Sequence, residues 1–542
     1  MAPLGVVPGD GPHVAVVGAG PVGQTAALLL ARWGMRVTVL DALPGRVPVG
    51  SRSICQQRDV LGVWGSVGGA RIAAEGVTWT TARTYHRQAE LFSWRFADRG
   101  ESPWPPFVNI SQARTEQILD QLIAARPQVE VRWGCEVTGV REDGDGVRLE
   151  VATPAGTRRR RFAYVVACAG GRAGGLREAL GVGFPGRSFP DRFLICDIRA
   201  DLGGWAHERR FWFDPPWNPG RQVLVHPCPD STYRIDWQVP EDFDLAAEER
   251  GGGLDRRVRQ VVGQAPYEVV WRSVYRFQSR RADRMRAGRV LLAGDMAHLV
   301  APFGARGLNS GVADVENAAW KLGFVARGWA PQSLLDSYHD ERWAAAGENL
   351  EVTDATMRFL APQDEAQRAR RAAVLAGAAD DPAARAQVDS GRLAEPFWYV
   401  DSPLTTPSPA RPFTGRPPRG AVPAPGPGIV VPDARVRPAG HPDRTWLHEV
   451  ARDGLLVLAA GVDPDGLAAL RRAADEAVAA PVRVCAVDDL DPAGRLRDAM
   501  QARPGEVWLV RPDTHVAAVL DRVDPVALAA ALRRCLGWPA SP

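Results

Sequence analysis

Gly18, Gly20 and Gly23 stand in the stretch VVGAGPVG, directly after the apolar run HVAVV at residues 13 to 17 and directly before the helix-forming segment PVGQTAALLLARWG. Glycines at that spacing permit a tight turn and the close approach of a pyrophosphate, whose charge the free amides of a helix N-terminus stabilise. The next apolar run, RVTVLD, ends in Asp41, placed to accept hydrogen bonds from a ribose. Strand, turn, helix and acid in this order read as a dinucleotide site rather than a structural glycine turn. A second chemical stretch lies far away, GRVLLAGDMAHLVAPFGARGLNSG at residues 288 to 311. Asp295 in its Gly-Asp pair suits ribityl or pyrophosphate-side hydroxyls, and the amides of Gly307, Leu308 and Asn309 suit the pyrimidine edge of an isoalloxazine.

These groups need elements to hold them. The first stretch predicts a βαβ unit whose strands are apolar throughout, as burial on both faces requires. Residues 129 to 153 alternate apolar and polar around a DGDG turn, the pattern of an antiparallel hairpin, and the buried strand YVVACAG follows. Residues from about 190 to 280 alternate again between prolines and glycines and predict a second, mostly β unit inserted into the first. The chain then returns through RVLLAGD to helices reaching about residue 395. Asp401 to Gly428 holds nine prolines, which predicts an extended, semi-rigid linker at a domain boundary. Beyond it, GLLVLAAG, PVRVCAVDD and EVWLVRPDTHVAAVLD read as strands of a small α/β domain.

Composition removes several function classes. The net charge of +3 is small and dispersed, against a nucleic-acid partner. The run Arg158, Arg159, Arg160, Arg161 is read as a solvated hairpin edge. No apolar run approaches the roughly 20 residues of a membrane span, and the N-terminus shows neither a basic leader nor a long apolar stretch, so the expected location is cytoplasmic. The seven cysteines are scattered and never spaced CxxC, which predicts reduced thiols and no metal site. Cys55 has no close partner of the kind a flavin disulfide reductase needs.

Four motifs together resemble the class A flavoprotein monooxygenases of the para-hydroxybenzoate hydroxylase fold, in the branch of phenol, hydroxyphenylpropionate and aromatic polyketide hydroxylases. They are VVGAGPVG, GSRSIC with Arg52, NISQARTEQIL with Gln112, and GDMAHLVAPFGARGLNSGVADVENAAWKL. The resemblance implies an α/β chain: a Rossmann-like FAD-binding domain over residues 1–189 and 280–400, an inserted antiparallel β-sheet substrate domain over 190–279, the linker 401–428, and a thioredoxin-like domain over 429–542. It places Arg52 and Gln112 near the FAD phosphates, Asp41 on the adenosine ribose, Asp295 on the ribityl side, and Pro302 to Asn309 around the ring. It also implies NAD(P)H and O2 as co-substrates, a flavin C4a-hydroperoxide as the oxygen donor, and a small phenolic or polycyclic aromatic substrate.

In RQVLVHPCPDSTYRIDWQVP, His226, Arg234 and Asp236 share strand parity and are expected to face flavin and substrate. Trp212 and Trp237 either stack on a polycyclic substrate or belong to the core. His298 is either a packing residue beneath the loop or catalytic. Two departures stand out: Ala169 where the family carries Asp, which bears on flavin reduction by the nicotinamide, and Asp41 where Glu is usual. Cys485 and Cys535 lie far apart, so the C-terminal domain is expected to be structural or a dimer contact in a monomer or homodimer. Rival readings are Baeyer–Villiger or epoxidising oxygen insertion by the same cofactor, and an FAD-bound substrate-binding protein with little turnover.

Overall fold

The computed structural model describes residues 3, 5–47, 52–95, 100, 102–417, 421, 423–439 and 443–539; Gly50 and Ser51 of the GSRSIC motif lie outside them. The two apolar runs at the N-terminus become the strands His13–Val17 and Arg36–Leu40, paired in parallel and joined by the helix Pro21–Arg32. They form the middle of a six-stranded sheet in the order Arg286–Ala287, Val290–Leu292, Tyr164–Ala167, His13–Val17, Arg36–Leu40, Val129–Arg132. The first strand is buried from Val14 to Val17 because helices cover both faces. The ends of these strands bring the glycine loop, Asp41 and the Gly294–Met296 turn to one edge.

A second sheet of eight strands stands apart from the first. Its order is His298–Leu299, Tyr267–Arg281, Gly186–Ala200, Thr232–Val239, Gln222–Cys228, Glu208–Phe213, Thr81–His86, Ala89–Arg95. The expected boundary at residue 190 is therefore too narrow. The sheet begins at Gly186, ends beyond residue 280, and takes two strands from the segment before it, with Thr81–His86 lying parallel to Glu208–Phe213. Parallel pairing between segments so far apart leaves no local turn signal to read.

The two faces of this sheet differ. Phe193, Phe211, Leu224 and Phe277 on one face pack with Ala301 and Phe303. On the other, Leu194, Val223, Ile235 and Trp237 pack with Leu254 and Val258 of the helix Gly253–Val262. Trp212 pairs with Val223 and also packs against this second cluster. Trp237 is therefore core and half-buried Trp212 packs against it, both on the face away from the cofactor loop, the core alternative of the two readings. Strand parity decides it: Trp237 is one residue from Asp236 and so points to the opposite side.

The C-terminal strands Val482–Ala486, Leu455–Ala459, Val507–Val510 and Val516–Leu520 form a four-stranded sheet. The described residues of the proline-rich segment carry no helix or strand, and they are not a free spacer. Thr406 N–H donates to Ala517 O and Gly428 N–H to Val516 O, both at 2.7 Å, and Arg411 pairs with buried Glu506 at 2.8 Å. It lies as a strap along the domain. Arg159 and Arg161 sit on an exposed hairpin edge and pair with Glu150, Asp143 and Asp145. Among the described residues no helix is long and apolar enough to cross a membrane, and no cluster of three His, Cys, Asp or Glu side chains suits a metal ion.

The C-terminal domain meets the helices Arg306–Ala326 and Asp336–Leu360 through buried charge. Arg511 reaches Glu341 at 2.5 Å and Asp513 at 2.6 Å, and Lys321 reaches the same Glu341 at 2.6 Å. Nearby, Arg32 pairs with Asp453 at 2.7 Å and Arg452 with Glu316 at 2.8 Å. Burial raises the Glu341 carboxyl, but Arg511 and Lys321 outweigh it and hold the group well below the usual range. Replacing one partner leaves the others charged in a low dielectric. Arg511→Met is expected to lower unfolding free energy at neutral pH by roughly 3–5 kcal/mol, read by denaturant titration. The deficit narrows as pH falls through the ordinary carboxylate range near about 4, because depressed folded values stabilise only above it. An unchanged midpoint would show that water satisfies the pair.

Candidate active site

The glycine loop is built by close contacts that only glycine permits. A Cβ on Gly18, whose φ is +104°, would lie 2.4 Å from Cys168 O, and one on Gly23 would lie 1.9 Å from Gly18 O. Gly20 is different: a Cβ there meets nothing within 4 Å. It caps the helix Pro21–Arg32 without any side-chain hydrogen bond, so the amides of the first turn face an open cradle. That cradle fits a pyrophosphate. Asp41 braces it, its two carboxylate oxygens accepting from Ala19 N–H at 2.7 Å and Leu43 N–H at 2.9 Å.

Two acids and an arginine that sequence reasoning missed complete this end. Arg46 donates to Ala19 O at 2.9 Å and forms ion pairs with Asp120 at 2.6 Å and Glu116 at 3.4 Å. A cleft of about 390 Å³ between Arg46, Asp120, Val131 and Trp133 adjoins the loop. No local pattern announces Arg46, since its partners lie on a distant helix. Gln112 opens that helix, Gln112–Ala124; its Oε1 accepts from Ser53 N–H at 3.3 Å and its Nε2 donates to Glu116 at 2.9 Å. Arg52 is exposed, with its guanidinium 5.6 Å from the Tyr275 ring centroid.

The second stretch supplies the other end. Asp295 and Pro302 are exposed between buried neighbours. Crowding by protein raises the Asp295 carboxyl, against the pull of His298 and Arg52. Ala305, at φ +57°, caps the helix Arg306–Ala326, so Gly307, Leu308 and Asn309 fall in its first turn, where the amides of Gly307 and Leu308 have no intrahelical acceptor. The Asn309 side chain clamps the strand Cys55–Gln57, accepting from Gln57 N–H and donating to Cys55 O, each at 3.0 Å. Ala169 follows Cys168 against the glycine loop and brings no charge there. His298 Nε2 donates to the Asp314 carboxylate at 2.7 Å, and the same Asp314 oxygen accepts from Gly294 N–H at 2.9 Å.

The apolar face of the eight-stranded sheet covers this loop, with the Phe193 and Phe303 rings 5.5 Å apart. His226 is paired with Arg234 across neighbouring strands, and Asp236 stands two residues on, on the same face. Arg234 is consumed by a two-point ion pair with Asp197, at 2.7 and 2.9 Å, and reaches Arg52 O at 3.4 Å. His226 Nδ1 and Asp236 Oδ1 are buried and make no hydrogen bond. Burial raises the Asp236 carboxyl to about 7, with Arg234 opposing and Asp197 assisting. Burial, Arg209 and Arg234 hold His226 well below its usual value, so the imidazole is neutral.

Residues 12–353 match the model of an FAD binding domain, and residues 424–539 match an aromatic-ring hydroxylase C-terminal domain. The chain belongs to the FAD-dependent aromatic-ring hydroxylases. This hydroxylase is 29% identical to the 6-methylpretetramide 4-monooxygenase of Streptomyces rimosus, over 97% of this chain and 93% of the relative. It is 30% identical to a 3-(3-hydroxy-phenyl)propionate/3-hydroxycinnamic acid hydroxylase of Mycobacterium avium, over 64% of this chain and 61% of that relative. Its fold is that of the flavin-dependent monooxygenase PieE, crystallised with FAD and substrate, at a TM-score of 0.83 and 24% identity, covering 99% of this chain and 100% of that one. The hydroxylase is thus an FAD-dependent aromatic monooxygenase with NAD(P)H as its reductant.

Gly20→Val tests the cradle. The substitution fits the extended backbone at Gly20, at φ −69° and ψ 177°, and meets no protein atom, so the fold is retained. FAD is excluded because the side chain fills the pyrophosphate's place. The expected product is a folded, colourless protein with an unfolding midpoint close to that of the parent apoprotein. A yellow Gly20→Val protein would move the phosphates elsewhere.

Proposed function

We propose that this hydroxylase inserts one oxygen atom of O2 into a polycyclic phenol, with His226 and Asp236 orienting the ring and handling its hydroxyl proton. The observation that carries this reading is the pair of buried, unpartnered polar atoms on the sheet face over the cofactor loop. An unsatisfied buried donor or acceptor costs about 1–3 kcal/mol, and a substrate hydroxyl placed between them offsets that cost. FAD held at this site and reduced by NAD(P)H would activate O2 as the electrophilic oxygen donor, one atom going to the ring and the other leaving as water. The chain's own part is to hold the ring, exclude water through the apolar cluster around Phe193 and Phe277, and move one proton.

The polycyclic class is supported by the near full-length match to the Streptomyces rimosus enzyme, against a match of under two thirds to the phenylpropionate hydroxylase. Neutral His226 and the neutralised Arg234 also suit an uncharged phenol. We assign Asp41, Arg52, Gln112, Asp295 and the amides of Gly307, Leu308 and Asn309 to FAD, a reading supported by the parallel strand ends that bring the glycine loop, Asp41 and the Gly294–Met296 turn to one edge of the six-stranded sheet. For the C-terminal domain we favour a thioredoxin-like reading, supported by its mixed sheet: Leu455–Ala459 runs parallel to Val482–Ala486 and antiparallel to Val507–Val510. Cys485 and Cys535 fall in different structural neighbourhoods, one beside Arg483 and one beside Arg511, so no thiol chemistry is assigned to them.

His226→Ala and Asp236→Asn are expected to retain FAD, yield less hydroxylated product per NAD(P)H and release more hydrogen peroxide. Below about 7 Asp236 is a neutral donor, and above it a carboxylate that accepts the phenol proton. Parent turnover therefore rises as pH passes that value, and Asp236→Asn flattens the rise. Parent-like coupling and pH profile in both variants would remove these side chains from the reaction.

A further inference from the structure

The loop that carries Asp295 is not held by its own neighbours alone. Asp314 lies fully buried on the helix Arg306–Ala326, eight residues into it, and its two oxygens serve three groups. One accepts from Gly294 N–H at 2.9 Å and contacts His298 at 2.7 Å; the other accepts from Arg342 Nε at 2.8 Å. Gly294 and His298 flank Asp295, so Asp314 fixes the turn on which that side chain stands.

Arg342 leads away from the cofactor. Its Nη1 donates to the Tyr399 hydroxyl at 3.0 Å, and Asn317, on the same helix as Asp314, contacts that hydroxyl at 3.3 Å. Tyr399 is in turn seated by the C-terminal domain. Its N–H donates to Gly428 O at 2.8 Å, its ring lies 4.2 Å from that of His515, and the Arg511 guanidinium is 4.8 Å from its centroid. A second branch ties the same helix to the same turn, with Trp320 Nε1 donating to Asp513 at 3.2 Å and Lys321 meeting Glu341, the partner of Arg511.

We propose that the C-terminal domain is a positioning element for the cofactor loop, acting from the Arg511–His515 turn through Tyr399 and Arg342 on Asp314. The buried members balance, with three cations, Lys321, Arg342 and Arg511, against three anions, Asp314, Glu341 and Asp513. In a low dielectric such a set has few acceptable arrangements, since every displacement leaves an uncompensated charge. The domain thereby selects one placement of Gly294 and His298 and one seating of the helix whose first turn carries Gly307 to Asn309. Coupling of this kind is reciprocal: if domain docking favours the FAD-competent loop, FAD must favour docking to the same extent.

Tyr399→Phe removes only the hydroxyl that receives Arg342. The comparison is Arg452→Met, which breaks the Glu316 pair at the same domain boundary and removes a side chain that is not hydrogen-bonded to Asp314, Arg342 or Tyr399. FAD affinity is read by titrating apoprotein, stability by thermal unfolding, and docking by amide hydrogen exchange at residues 511–516 with and without FAD. Tyr399→Phe is expected to weaken FAD by about 3- to 30-fold and to abolish the FAD-induced slowing of exchange at 511–516. Arg452→Met is expected to lower the unfolding temperature while leaving FAD affinity within about twofold and the exchange response intact. Should Tyr399→Phe fold poorly, Asn317→Ala offers a second interruption of the same network, removing one donor shared by the Tyr399 hydroxyl, Glu341 and Asp513. The proposal is overturned if both variants weaken FAD in proportion to their loss of stability, or if FAD never alters exchange at 511–516 in the parent.

Discussion

Asp314 keeps its charge in the interior because three donors meet it from three directions, and much of the molecule is arranged so that they do. A lone carboxylate in that place would protonate or open the structure to water. Instead burial, which raises the group, is outweighed by His298 and Arg342, and the carboxyl is held below its usual range. The consequence is a rigid junction where the cofactor loop, the long helix behind it and the C-terminal domain share one electrostatic solution. The balance accounts for how deeply the C-terminal domain is built into the first domain.

The substrate side follows the opposite rule. There the structure leaves polar atoms of His226 and Asp236 without partners inside an apolar surface and spends the available charge, Arg234, on Asp197. Unpaired groups are what a site needs if a ligand is to supply the missing hydrogen bonds, and a neutral His226 beside an Asp236 carboxyl raised to about 7 suits a ring that arrives uncharged and gives up its proton. The fully satisfied junction and the unsatisfied chamber thus contrast in how each treats its buried polar groups.

The parts of this arrangement set by short-range spacing were readable from the residues alone. Gly18, Gly20 and Gly23 act within six positions of each other, and the alternation around His226 and Asp236 gives their common face once the strands are assigned. What was not readable depends on partners distant in the chain. The parallel pairing of Thr81–His86 with Glu208–Phe213 has no turn to betray it, and Arg46 finds Asp120 across a cleft. Trp212 and Trp237 have a composition that suits stacking, but strand parity sends them to the far face. The nine prolines of the strap are consistent with a free spacer until the hydrogen bonds of Thr406 and Gly428 are known. Ala169 remains the departure with the plainest chemical content, since a methyl group there offers the nicotinamide and the flavin nothing to share.

The proposed reaction is transfer of one oxygen atom from O2 to a polycyclic phenol. It is tested most directly by turnover under isotopically heavy dioxygen with NAD(P)H, using a set of polycyclic phenols and 3-(3-hydroxyphenyl)propionate as the small, charged comparison. The expected result is substrate-stimulated NAD(P)H consumption with the polycyclic compounds and a product carrying one heavy oxygen on the ring. Consumption that ends only in hydrogen peroxide, product oxygen derived from water, or transfer to the phenylpropionate alone would contradict it.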